Sequence, residues 1–163
     1  MLTKSPGHLK GFDYLGLHRY SLTFCTGYRR PAFEDGAVVE LVLAQISRAG
    51  TENQFAIIAY CFMPDHLHLL IEGQSEASDC KRFIARAKQY SGFYYKQKYG
   101  RTLWQRYGFE HVLRDEELTP VIARYILENP LRARLVERIE DYPYVGSLVY
   151  PLAHLVEGLA MSG

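Results

Sequence analysis

The chain has no CxxC pair, and its three cysteines, Cys25, Cys61 and Cys80, are odd in number. This spacing argues against both a cysteine zinc site and a disulfide framework, and makes a reducing cytoplasm the expected compartment. No apolar run approaches the about 20 residues that a membrane span needs, and the opening MLTKSPGHLKGFDYLG lacks the apolar core of an export signal. A soluble protein without a membrane partner is therefore expected. Net charge is nearly absent as well, at +1, so any surface for a polyanion must come from local clustering. Internal repeats and low-complexity tracts are also missing. The 163 residues, 48% of them hydrophobic, suffice for a single domain with a sizeable core.

The most informative absence is local. From Lys81 to Arg106 there is no acidic residue, while the basic side chains Lys81, Arg82, Arg86, Lys88, Lys96, Lys98, Arg101 and Arg106 accumulate. Phe83, Tyr90, Phe93, Tyr94, Tyr95, Tyr99 and Trp104 are interleaved with them. An ordinary solvated helix face mixes both signs of charge. Basic groups neutralise phosphates and exposed aromatic rings stack on unpaired bases, so this stretch is expected to contact single-stranded nucleic acid. Any one of these aromatics, taken alone, fits a helix core equally well. Arg29 and Arg30 extend the same expectation more weakly.

Hydrophobic patterning divides the chain into alternating elements. HRYSLTFCTGYRR (18–30) reads as a strand ending at Gly27, and DGAVVELVLAQISRA (35–49) as a helix with Asp35 as N-cap and Val38, Leu41, Val42 and Ile46 on one face. FAIIAYCFMP (55–64) and DHLHLLIEG (65–73) read as an antiparallel hairpin joined at Pro64-Asp65. A long helix follows from Ser78 or Asp79 to Tyr99, closed by Gly100. LWQRYGFEHVLR (103–114) reads as a fourth strand with a bend at Gly108. DEELTPVIARYILEN (115–129) reads as a helix with Leu118, Val121, Ile122, Tyr125 and Ile126 on one face, stopping before Pro130, where a short helix restarts. The expected fold is α+β, a ferredoxin-like antiparallel sheet with helices on one face. The core spans about residues 18–148 and is followed by a tail, 149–163, with no readable pattern.

Within YCFMPDHLHLLIEG (60–73), His66 and His68 stand two apart on a strand. Side chains at that spacing share a face, with Cβ atoms about 6.6 Å apart, while Leu67 and Leu69 point the other way. Two imidazoles so placed are a bidentate metal site or a pair of hydrogen-bonded structural residues, and their spacing leaves both readings open.

Three segments in order, YCFMPDHLHLLIEG, GRTLWQRYGFEHVLRD and RYILENPLRARLVERIEDYPYVGS, preceded by RYSLTFCTGYRRPAF, closely resemble the REP-associated tyrosine transposases and the wider single-tyrosine HUH transposases of bacterial insertion sequences. The resemblance implies that His66 and His68 hold a divalent metal, Mg2+ or Mn2+, completed by Asn129. It implies that Tyr125, in the segment Tyr125-Ile126-Leu127-Glu128-Asn129-Pro130, is a nucleophile that forms a 5′-phosphotyrosine link with single-stranded hairpin DNA carrying a palindromic repeat. Read without it, Tyr125 is a core tyrosine and Asn129 a helix cap. The chain departs from the family pattern at Asp65 and Glu128, each adding negative charge near the implied metal, and at Tyr144-Val145-Gly146-Ser147. The alternative to the enzyme is a catalytically silent DNA-hairpin binder, and the resemblance leaves monomer and homodimer equally open.

Overall fold

The computed structural model describes residues 12–106, 109–113 and 119–162, with side chains omitted at 109–113 and 158–162. Five strands, β1 (Arg19–Cys25), β2 (Phe55–Met63), β3 (His66–Gly73), β4 (Phe109–Leu113) and β5 (Val145–Gly146), form one antiparallel sheet in the order β4-β1-β3-β2-β5. Between them run α1 (Gly36–Asn53) and α2 (Cys80–Tyr99), followed by α3 (Thr119–Leu127), α4 (Asn129–Arg132) and α5 (Leu152–Ser162). The βαββαβ order with β1 and β3 central is the ferredoxin-like arrangement. Local chemistry sets the starts of α1 and α2 and the end of α2 where patterning put them, whereas α1 runs on to Asn53, past the expected end at 49. Asp35 accepts from the Ala37 amide at 2.9 Å and Asp79 from the Arg82 amide at 3.1 Å, satisfying donors that the first turn leaves unpaired. Gly100, at φ +74°, closes α2 in the left-handed conformation that glycine adopts without a Cβ penalty.

The two faces of the sheet do different work. Leu67, Leu69 and Ile71 of β3 join Tyr20, Leu22 and Phe24 of β1 beneath Val38, Val42 and Ile46 of α1 and Phe83 and Ala87 of α2. Burying each of the large aliphatic side chains stabilises the fold by about 1.5 to 3 kcal/mol. On the opposite face Leu70, Ala59, Cys61 and Met63 pack against Ala123, Ile126 and Leu127 of α3, with Tyr142 and Val145. A bulge in β2 between Ile57 and Ala59 shifts the pairing by one residue. The strand reads as an unbroken apolar run because both its faces are covered, Ile57 and Phe62 facing α1 and α2 and Ala59, Cys61 and Met63 facing α3.

The structure revises two expectations and gives the tail a fold. The fourth strand begins at Phe109, not at 103; Trp104 instead makes an isolated bridge to Thr26, and the expected bend at Gly108 lies outside the described residues. The seated stripe of α3 is Ala123, Ile126 and Leu127, an i, i+3, i+4 set, and it leaves Val121 and Tyr125 facing outward. Tyr125 is thus not a core tyrosine; its side chain is 51% exposed. Part of the unpatterned tail forms α5, whose Leu152 and Leu155 pack against the α3 cluster.

Candidate active site

His66 and His68 lie on the sheet face that α3 covers. In the strand register Cys25 and Met63 flank His66, and Thr23 and Cys61 flank His68. The two rings meet edge to face with centroids 4.7 Å apart. Each uses its Nδ1 for a protein partner: His66 against Asp65 Oδ1 at 2.7 Å, His68 against Thr23 Oγ1 at 3.0 Å. Anchoring both rings through Nδ1 leaves the Nε2 atoms for an outside ligand, as in metal sites whose imidazoles are oriented by carboxylate or hydroxyl partners.

Burial, reinforced by His66, Arg132 and Arg29, pushes the His68 imidazole down to about 3 from an ordinary value near 6.5, so it is neutral at physiological pH. In the unfolded chain His68 takes up a proton below pH 6.5, and in the folded chain only near pH 3. Its stability contribution is thus fully present above pH 6.5 and is lost as pH falls towards 3. Denaturant titrations in the presence of a chelator are expected to show the native protein losing about 1.4 kcal/mol per pH unit across this window more than a His68→Gln variant does.

Asp65 carries one of the two departures in charge, and it is committed to protein partners. Its carboxylate accepts from Arg29 Nε at 2.9 Å as well as meeting His66. Burial alone would raise its proton affinity, but the hydrogen bonds from Arg29 and His66 outweigh that and hold the carboxyl below its usual range. Arg29 Nη1 also reaches Cys25 Sγ at 3.2 Å. Glu128, the other departure, pairs with Arg124 at 3.8 Å. Each added negative charge therefore faces an arginine.

Tyr125 projects from α3 one residue before the buried Ile126. The guanidinium of Arg132, on α4, lies 3.9 Å from the Tyr125 ring centroid and donates through Nη2 to the Tyr125 carbonyl oxygen. Arg132 thereby caps a carbonyl that the end of α3 leaves open. Its positive charge also lowers the proton affinity of His68, which places tyrosine, arginine and histidine in one electrostatic neighbourhood. Asn129 opens α4, and its Nδ2 is buried without a hydrogen-bond partner. Since the two ends of an amide are assigned by their partners, the unsatisfied position equally suits the oxygen facing a cation.

The basic stretch is only partly gathered at this site. Residues Lys81 to Lys98 lie on α2, in the layer on the other side of the sheet, and 20 helical residues span about 30 Å. Lys81 and Arg82 sit at its far end, Lys81 over the Tyr14 ring at 5.1 Å and Arg82 beside Asp79. The other end joins the site: Gly27 donates to the Leu103 carbonyl at 2.8 Å and Gln105 to the Cys25 carbonyl at 3.0 Å. There Lys88, Lys96 and Arg106 rim a groove of about 500 Å3 that is also lined by Phe93 and Gln89, with Lys98 and Arg101 exposed nearby in the chain. Arg86 donates to Gln89 at 2.7 Å. Trp104 does not serve as an exposed stacking ring. It is 8% exposed, packs on Phe24 and Phe33 and donates from Nε1 to Ser91 Oγ at 2.9 Å, because a large indole gains more from a core with a hydroxyl partner than from solvent. Phe93 and Tyr94 are the α2 aromatics left outside.

Residues 15–129, most of the chain and both halves of this site, match the family described as IS200-like transposases. The chain belongs to that family. A Haemophilus influenzae protein provisionally named a REP-associated tyrosine transposase is 33% identical over 101 residues, which cover 55% of this chain and 57% of that protein. The chain thus spans little more than half the length of this curated relative. A REP-associated tyrosine transposase solved in complex with a REP hairpin superposes with a TM-score of 0.71 at 18% identity, over 85% of this chain and 81% of that one. A Deinococcus radiodurans structure provisionally named a transposase gives 0.51 at 23% identity, over 75% of this chain and 97% of that one. Both structural likenesses concern the fold.

In this IS200-like chain two imidazole nitrogens suit a borderline divalent ion better than a hard one. Among the described residues no group of three or more His, Cys, Asp or Glu side chains is placed to hold a metal. Sequence reasoning passed over two side chains that the fold brings in. Thr23 became visible only through the β1–β3 register, which sets it opposite His68. Arg132, seven residues or about two helical turns after Tyr125, was legible as a neighbour only if helical backbone carried on through Glu128, as it does.

Proposed function

We propose that this family member cuts and rejoins single-stranded DNA at a folded hairpin with Tyr125 as nucleophile, in the presence of Mg2+ or Mn2+. The observation that carries the reading is the convergence on one sheet face of two histidines anchored through Nδ1 and a helix that seats Ile126 while leaving Tyr125 outside. The Tyr125 oxygen would form a bond to phosphorus as the bond from phosphorus to the 3′ oxygen breaks, the phenolic proton balancing the charge on the released 3′-hydroxyl. The resulting 5′-phosphotyrosine ester keeps the phosphodiester energy for rejoining, so no nucleotide cofactor is consumed. His66, His68 and Asn129 would hold the cation, which supplies polarisation of the scissile phosphate and neutralisation of its growing charge.

The chain's own residues orient the reaction. Arg132 fixes the Tyr125 ring against the end of α3 and holds a positive charge beside it. Thr23 and Asp65 hold the two imidazoles in orientation, and the Asp65 carboxylate favours the proton on His66 Nδ1. The groove rimmed by Lys88, Lys96 and Arg106 supplies the basic track for the DNA backbone.

The experiment is to incubate the protein with Mn2+ or Mg2+ and labelled single-stranded oligonucleotides carrying the palindromic repeats nearest its gene, then resolve the products on a denaturing protein gel. A labelled adduct at protein mass is expected. Tight binding with no adduct under either metal would instead identify a hairpin binder that has lost cleavage.

A further inference from the structure

Between β1 and α1 the chain makes a three-residue turn, Gly27–Arg29, that places two consecutive side-chain-bearing residues in left-handed backbone, Tyr28 at φ +56° and Arg29 at φ +54°. Residues with a Cβ adopt this conformation at a cost, and a bulky aromatic seldom does. The surroundings enforce it. Thr26 donates its amide to the Asp65 carbonyl at 3.0 Å and its hydroxyl to the Arg30 carbonyl at 2.8 Å. Gly27 is tied to Leu103, and Arg29 to the Asp65 carboxylate. Strain that persists because neighbouring bonds over-determine it is a mark of a functional position.

What the strain delivers is a ring in solvent. Tyr28 is 90% exposed, more than any other large hydrophobic side chain among the described residues. Among the described residues its basic neighbour is Arg30, whose guanidinium lies 5.0 Å from the ring centroid. The turn is also at the site: Arg29, next in the chain, shares Asp65 with His66. Arg29 is neutralised by that pairing, whereas Arg30 forms no ion pair with a carboxylate among the described residues and keeps its charge for a phosphate.

We propose that Tyr28, flanked by Arg30, is a platform on which one unpaired base of a single-stranded segment beside the histidine site stacks, with Arg30 meeting the adjoining phosphate. This rests on the reading of the protein as acting on single-stranded DNA. Stacking accepts any base, so Tyr28 would fix the position of the strand and leave sequence choice to other contacts.

The test compares a labelled hairpin from the palindromic repeats nearest the gene, once blunt and once with a short single-stranded extension, by fluorescence anisotropy. Tyr28→Gly removes the ring and suits the left-handed backbone; Tyr28→Asn does the same while keeping a side chain, and guards against loosening of the turn by glycine. Both are expected to weaken binding of the extended hairpin about tenfold or more, to leave the blunt hairpin unchanged, and to melt at or above the temperature of the native protein. Tyr28→Phe, which keeps the ring, should bind the extended hairpin as the native protein does. Undiminished binding of the extended hairpin by the Gly and Asn variants would overturn the platform, and so would equal weakening on both probes, which would place Tyr28 against the stem. If the native protein binds neither probe, the single-stranded DNA reading itself fails, a result separate from any effect of the variants.

Discussion

Tyr125→Phe is expected to eliminate the covalent DNA adduct while leaving hairpin affinity and melting temperature essentially unchanged. The substitution removes one oxygen and nothing else. That oxygen stands on a half-exposed side chain outside the stripe that seats α3, so its loss opens no cavity and orphans no buried partner. The stacking of Arg132 on the ring survives in phenylalanine, since a guanidinium stacks on either ring. Gel detection of the adduct, anisotropy for hairpin binding and a thermal melt together decide the matter. A persistent adduct would transfer the nucleophile elsewhere, and a large fall in stability would return Tyr125 to a structural role.

The two histidines are expected to separate when each is replaced by alanine. Both variants should lose Mn2+ affinity by about 100-fold or more, read by calorimetric titration, because each removes one donor from a set with few others. Their stabilities should differ. His66 retains solvent access and its partner Asp65 keeps Arg29, so His66→Ala should cost less than about 1 kcal/mol in chemical denaturation. His68 is buried, and its removal leaves the Thr23 hydroxyl unpaired beside a void, so His68→Ala should cost about 2 to 3 kcal/mol. Unchanged Mn2+ binding in both would contradict the assignment of the pair as ligands, and equal stabilities would contradict the structural weight given to the buried His68.

The parts of this molecule that could be read from sequence are those governed by local periodicity. The hairpin at Pro64-Asp65, the caps at Asp35 and Asp79, the stop at Gly100 and the shared face of His66 and His68 all follow from rules that act over a few residues. The misreadings arose where tertiary contacts decide. Trp104 follows a run of exposed basic residues, yet its indole is captured by Phe24, Phe33 and Ser91 from distant elements. The apolar content of α3 exceeds what the sheet can cover, and sequence alone gave Val121 and Tyr125 the same claim to burial as Ile126. The acid-free stretch is continuous in sequence but spread along α2, so that only its later residues approach the site.

The turn at Pro64-Asp65 has a role larger than its two residues. Strand pairing repeats with a period of two, so a slip of one residue between β2 and β3 would exchange the faces of β3, driving both imidazoles beneath α1 and α2 and setting leucines where DNA chemistry is proposed. The turn is clamped from outside the hairpin, with the Pro64 carbonyl accepting from Phe33 and the Asp65 carbonyl from Thr26, at 3.0 Å each. Those bonds act as a frame lock: they fix which half of β3 is foundation and which half is tool, and a substitution there would corrupt both without touching either.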